Sequence, residues 1–206
     1  IEAVEKDGSR ITALRTAGGR SFKGRVFLDA SYEGDLLALA GCAFHLGRES
    51  RQKYGESLAG ATYPPEHAGR EDRKLQPFDY RCCLTDVAEN RVPFTEPPGY
   101  DPANYAWLTS KRKRPASLSQ MLPLNMMPNR NTDSRTAEWP GKGWDYIEAT
   151  RARRLEIEQD QRNHSAGYLW YLMTDPGLPR ELREDTARWG LPKDEFTDNK
   201  HWPWHV

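Results

Sequence analysis

The segment Val26-Phe27-Leu28-Asp29-Ala30-Ser31-Tyr32-Glu33-Gly34-Asp35-Leu36-Leu37-Ala38-Leu39-Ala40-Gly41 constrains the fold of this chain more than any other. Val26 to Leu28 are continuously apolar, the pattern of a strand covered on both faces. Asp29 closes that run with a carboxylate at the strand's C-terminal end, the edge where open α/β sheets place their ligands. Gly34 frees the backbone for a tight turn, Asp35 is positioned to cap the amides of the short helix that follows, and Gly41 to end it. A strand, a turn and a helix start with free amides suit an anion.

Ahead of this segment, Ile1 to Glu5, Arg10 to Thr16 and Arg20 to Lys23 read as short strands separated by the turn sequences Asp7-Gly8 and Ala17-Gly18-Gly19. An antiparallel meander is expected, returning the chain to a central parallel sheet at Val26. From Arg48 to Lys74 the chain is polar and rich in Gly, Pro and Glu, with Thr62-Tyr63-Pro64-Pro65 opposing helix, so an ordered excursion or mobile loop is expected. The expected boundary divides residues 1–74, part of a cofactor domain with the meander, from 75–206, a helix-rich cap or substrate region. Within the latter, Gln76 to Thr85 should form a strand with one of Cys82 and Cys83 facing inward. Asp101-Pro102 should start a helix running to about Lys113. Leu118 to Thr136 reads as a polar irregular segment. A long helix should cover about Trp144 to Met173, with a kink near Gly167 and Ile147, Leu155, Ala166, Leu169, Trp170 and Met173 as its apolar stripe, interrupted by Gln159 and Arg162. Asp175-Pro176 ends it, Pro179 opens another helix, and Gly190 with Pro192 stops that one.

Thirty basic and thirty acidic side chains cancel, so no global field draws the chain to nucleic acid. Lys111-Arg112-Lys113-Arg114 fits the C-terminal turn of a helix better than a nucleic-acid patch. The mean hydropathy is −0.87, and no apolar run reaches the ~20 residues needed to span a bilayer. Cys42, Cys82 and Cys83 form no Cys-x-x-Cys pair, so neither a zinc site nor a disulfide framework is expected. No nucleophile elbow or P-loop is present. Seven tryptophans and nine tyrosines would suit sugar stacking. The rival class is therefore a non-catalytic carbohydrate-binding or structural module, which should be all-β.

The Asp29-Ala30-Ser31 strand end leading into Gly34-Asp35 resembles the second flavin-contacting segment of bacterial FAD-dependent oxidoreductases with a two-dinucleotide-fold architecture. Tyr80-Arg81-Cys82-Cys83-Leu84-Thr85, Asn90-Arg91-Val92-Pro93-Phe94, Pro98-Gly99-Tyr100-Asp101-Pro102, Arg188-Trp189-Gly190-Leu191 and His201-Trp202-Pro203-Trp204 resemble that family in the same order. The resemblance implies a mixed α/β fold with a Rossmann-like FAD-binding domain, FAD as cofactor, and oxidation or reduction of a small hydroxylated metabolite. It implies that Asp29, Ala30, Ser31, Gly34 and Asp35 contact the cofactor, although Tyr32-Glu33 replace the Thr-Gly of many related flavoproteins. The Gly-x-Gly-x-x-Gly fingerprint is not in the sequence, nor is an Arg-rich helix expected after Val206. With Ile1 in place of an initiator Met, the expectation is an internal piece of a larger flavoprotein, inactive alone and of open compartment and oligomeric state.

Five histidines supply the side chain that titrates near neutral pH: His45, His67, His164, His201 and His205. His67 should be solvated, His45 packed behind the short helix, and His164 an ordinary helix residue. His201 and His205 have i, i+4 spacing, but Pro203 breaks helical geometry and no third ligand follows, so no metal site is expected. The resemblance places His201 on the substrate side of the flavin, as the catalytic candidate.

Overall fold

The computed structural model describes residues 1–107 and 114–204. It falls into two compact units, Ile1–Leu75 and Gln76–Val206. The architecture is mixed α/β, with small antiparallel sheets and few helices.

In the first unit, β1 (Ala3–Asp7), β2 (Arg10–Arg15) and β3 (Ser21–Lys23) form the expected meander in the order β1-β2-β3. Its turns work for a local reason: Gly8 and Gly19 take left-handed φ of 57° and 76°, which an L side chain resists. Val26 to Leu28 depart from expectation. They form no strand, and Val26 and Leu28 are 76% and 86% exposed. A continuously apolar strand gains from its sequence only when strands pair on both sides and helices cover it, and every strand pair among the described residues is antiparallel and elsewhere. Short helices follow at α1 (Asp35–Leu39) and α2 (Arg51–Tyr54). The excursion from Arg48 is ordered. Arg48 and Asp72 form a bridge and an ion pair, and Ala61 and Gly69 exchange main-chain hydrogen bonds with their surroundings at 2.8 Å.

The second unit holds β4 (Arg81–Cys82), β5 (Arg91–Pro93), β6 (Leu124–Met126), β7 (Thr132–Arg135) and β8 (Gly190–Pro192), with α3 (Arg151–Thr174) and α4 (Arg180–Thr186). One sheet runs β4-β7-β6 and another pairs β5 with β8. Leu118 to Thr136 is thus a turn and a hairpin, not an irregular segment. Its inner strand is polar yet buried, because Thr132 Oγ1 accepts from the Leu84 amide at 3.0 Å and shares a 2.6 Å hydrogen bond with Ser134. Gly190 belongs to a strand, where an added Cβ would lie 2.3 Å from the Val92 carbonyl oxygen.

The long helix starts at Arg151, later than expected, because Thr150 caps it by accepting from the Arg153 amide at 3.3 Å. It then runs unbroken for 24 residues, through Gly167. That glycine serves close packing: a Cβ there would sit 2.2 Å from the Tyr105 hydroxyl. The buried stripe is Ile157, Gln161, His164, Ser165, Tyr168, Leu169 and Leu172, whereas Leu155 is exposed. Around it packs one continuous core containing Tyr80, Leu84, Leu118, Leu182 and Trp202. Each such residue contributes roughly 1.5–3 kcal/mol by burial. Cys82 is buried and Cys83 half-buried, both as free thiols, and burial raises the pKa of each. The Asp101-Pro102 start is a 3₁₀ turn, Pro102–Asn104, whose Ala103 amide donates to Asp101 Oδ1 at 2.9 Å. Residues 108–113 of that expected helix, with Lys111 to Lys113, lie outside the described residues, as does His205. Among the described residues no helix is long and apolar enough to cross a membrane.

Candidate functional site

The first unit offers a turn. Gly34 sits at φ 68°, ψ 29°, with open space where a Cβ would go. The cap of α1 comes from Asp29, not from Asp35. Asp29 Oδ2 accepts from the Leu37 amide at 3.1 Å, and Oδ1 accepts from the Ser31 amide and hydroxyl at 3.1 and 2.7 Å. Ser31 Oγ in turn accepts from the Gly34 amide at 3.0 Å. The Ser31 hydroxyl and amide, followed by the helix amides, hold the Asp29 carboxyl below its ordinary range. The strand end therefore spends its carboxylate on ordering the turn, and Asp35 occupies the first helical turn where a negative charge favours the macrodipole. Asp29, Ala30 and Ser31 are exposed, so a ligand can approach the main chain there. At these residues the permissive Gly34 leaves the main chain open to close approach. They do not form a diphosphate cradle, because the Ser31, Gly34 and Leu37 amides are already paired.

The second unit offers a cavity of about 670 Å³, flanked by α3, β5, β8 and the loop from Thr197 to Trp202. Val92, Phe94, Ala166 and Leu191 supply apolar wall; Arg162, Asn163, Lys200 and His201 supply polar groups. The loop is held from within. Asn199 Nδ2 donates to the Trp202 and Pro203 carbonyls at 3.0 Å each, the Tyr80 hydroxyl donates to the Pro203 carbonyl, and Trp202 packs edge-on to Tyr80 at 5.7 Å. Phe196, Lys200 and His201 all take left-handed φ, of 46°, 55° and 66°. Three non-glycine residues in that region within six positions carry a conformational cost of about 1–3 kcal/mol each, and such strain clusters at functional sites.

His201 lies in the cavity wall with Nδ1 3.1 Å from the Glu195 carbonyl oxygen. A carbonyl only accepts, so in the neutral ring the proton resides on Nδ1 and Nε2 carries the lone pair. That tautomer makes Nε2 a proton acceptor. Arg162, on α3, donates from Nη1 to Asn199 Oδ1 at 3.1 Å and from Nη2 to the Asn199 carbonyl at 3.2 Å, and lies over the Trp202 ring.

The sequence marks His201, but in it Arg162 reads as a break in an apolar stripe, and Asn199 and Lys200 carry no signal. The break itself was the signal, since a cation on an otherwise buried helix face needs a cavity or partner. His67 is exposed as expected, whereas His45 is also exposed, 3.9 Å from Glu49, and is not packed. His164 is buried, stacked between Trp139 at 4.4 Å and Tyr105 at 4.9 Å. Neither of its ring nitrogens has a well-formed hydrogen bond among the described residues, although the Glu138 main chain is near enough to favour the cation slightly. Desolvation dominates and pulls its pKa down to about 4. Among the described residues no cluster of three or more His, Cys, Asp or Glu side chains is gathered for a metal.

A family model described as FAD dependent oxidoreductase matches residues 1–205. No curated protein and no solved structure matches the chain.

Proposed function

The chain belongs to the FAD-dependent oxidoreductase family, whose cofactor is FAD, and on that premise we propose that it acts on a small hydroxylated metabolite bound in the cavity beside α3. The observation that carries this reading is His201: its Nδ1 is tied to the Glu195 carbonyl, which leaves Nε2 as a base in the wall of a cavity sized for a small molecule. A flavin, when bound, supplies the acceptor for the hydride of a substrate C–H bond. As that hydride leaves, the hydroxyl proton goes to His201 Nε2, and the Glu195 carbonyl stabilises the resulting imidazolium through Nδ1–H. The apolar wall of Val92, Phe94 and Leu191 packs against the substrate's carbon skeleton, while Asn163 and Arg162 orient hydroxyl or other polar groups.

Asp29, Ala30, Ser31, Gly34 and Asp35 are the cofactor contacts of this proposal. They would line one edge of FAD in a Rossmann-like domain, through main chain that the Asp29–Ser31–Gly34 hydrogen bonds hold in place. A non-catalytic all-β sugar-binding module is disfavoured by the 24-residue helix and by the family. Anaerobic mixing of the flavin-loaded protein with alcohols, sugars, polyols and hydroxy acids tests the reading. At least one should bleach the flavin; a flavin reduced by dithionite yet by none of these classes contradicts it. Gly34→Val should lower flavin occupancy in a folded protein, since a β-branched residue at φ 68° costs about 1–2 kcal/mol or more.

A further inference from the structure

The half-buried charge of the cavity, Arg162, has no ion-pair partner among the described residues. Arg48, Arg81, Arg130, Arg135 and Arg153 each meet an aspartate: Asp72, Asp133, Asp86, Asp79 and Asp145. Arg162 is half-buried, and burial disfavours its charge, yet no carboxylate among the described residues opposes that effect. Its neighbours are the amide and carbonyl oxygens of Asn199, the Trp202 ring and the Tyr80 hydroxyl, which alone favours its charge against burial. Glu96 and Asp198 line the same cavity, but both are exposed and water already solvates them. A guanidinium carries five N–H donors, and Asn199 takes two, so a fork of donors remains for a ligand. Lys200 also lines the cavity but, exposed like Glu96 and Asp198, is solvated as they are. A partly desolvated cation is costly without an anion, and is strongly complemented by one.

We propose that Arg162 anchors an anionic group of the molecule bound beside His201: an oxyanion, carboxylate or phosphate, on a hydroxylated carbon skeleton. This deepens the substrate reading and rests on it for the identity of the cavity. Arg162 is thus a specificity-determining residue. It fixes one end of the ligand while His201 meets a hydroxyl. Lys200 and His201 follow one another in the strained loop, and Asn199 ties the Arg162 guanidinium to that same loop.

Calorimetric binding of D-glucose, D-glucuronate and D-glucose 6-phosphate to the flavin-loaded protein tests the proposal, because the three share a ring and differ at one carbon. At least one anion should bind ~10-fold or more tightly than glucose, with an affinity that falls as salt rises. The preferred anion tells carboxylate from phosphate. Arg162→Gln should remove the preference, and Arg162→Lys, which keeps the charge but loses the fork, should retain part of it. Circular dichroism checks that each variant is folded; if the Gln variant is not, the Lys variant's weaker preference carries the test. Equal binding of all three, no binding of either anion, or an anion preference indifferent to both substitutions overturns the proposal. An Arg162-dependent anion that never bleaches the flavin keeps the anion site and removes the cavity from the reaction, so the two readings fail separately.

Discussion

The two units of this chain are organised by different physics. In residues 1–75 the ordered features are backbone devices: left-handed glycines, the Asp29 cap, the Arg48–Asp72 bridge. Buried apolar residues there are few and small, with Ala13, Leu36, Ala40 and Ala61 the clear cases, while Val26, Leu28 and Tyr32 face solvent. In residues 76–206 a single core runs from Tyr80 to Trp202 and includes five leucines with no exposed surface. The site features divide in the same way. The first unit contributes an exposed turn made of main chain, and the second a cavity whose side chains are fixed by packing beneath them. The difference teaches that local sequence signals can specify a turn without specifying a core.

Core truncation should break this contrast most visibly. Leu169→Ala removes a fully buried side chain and should cost ~2–5 kcal/mol, read from urea unfolding followed by tryptophan fluorescence. Leu28→Ser in the first unit should stay within about 0.5 kcal/mol, since that side chain is exposed. A large loss from Leu28→Ser would mean that the segment is buried in the protein as it functions.

Acid should act next, and on the second unit. His164 has a folded-state pKa of about 4 against an ordinary 6.5. The unfolded chain therefore binds the proton first, and the stability present above pH 6.5 is lost as pH falls from about 6.5 to 4. The loss is ~3 kcal/mol at most. His164→Phe, which keeps a ring between Trp139 and Tyr105, should flatten that pH dependence. An unchanged acid limb would show that His164 stays neutral or is solvated on both sides of the window.

Gly167→Ala separates a packing role from a hinge. Alanine favours a helix by ~1 kcal/mol, yet its Cβ would lie 2.2 Å from the Tyr105 hydroxyl, which itself donates to the His164 carbonyl. The net effect should be destabilising by ~1–2 kcal/mol, seen as a lower Tm. Asp29→Ala should lower the Tm only slightly through the lost cap of α1, with flavin occupancy falling in parallel if the turn touches FAD.

The same contrast explains what could be read from the sequence. Asp7-Gly8 and Gly18-Gly19 encode their turns locally, so the meander was legible. Val26 to Leu28 are apolar enough for a buried strand, but burial is decided by partners that a local pattern does not contain. Thr132 to Arg135 hid a buried strand behind polar residues because its hydroxyls are satisfied by Leu84 and by each other. The helix start was misplaced because Thr150 is an ordinary cap among stronger-looking signals at Gly141 and Gly143. In the candidate site, His201 was visible through its aromatic context, whereas Arg162 and Asn199 acquire meaning only when α3 and the loop at 197–202 face one cavity.

In the proposed chemistry His201 is the base of that cavity. Stopped-flow measurement of substrate-driven flavin reduction, on His201→Ala and on His67→Ala as an exposed control, tests it directly. His201→Ala should retain bound FAD and slow reduction by ~10² to 10⁴, with the control unchanged. Reduction at the wild-type rate in a folded, flavin-loaded His201→Ala protein would contradict the assignment.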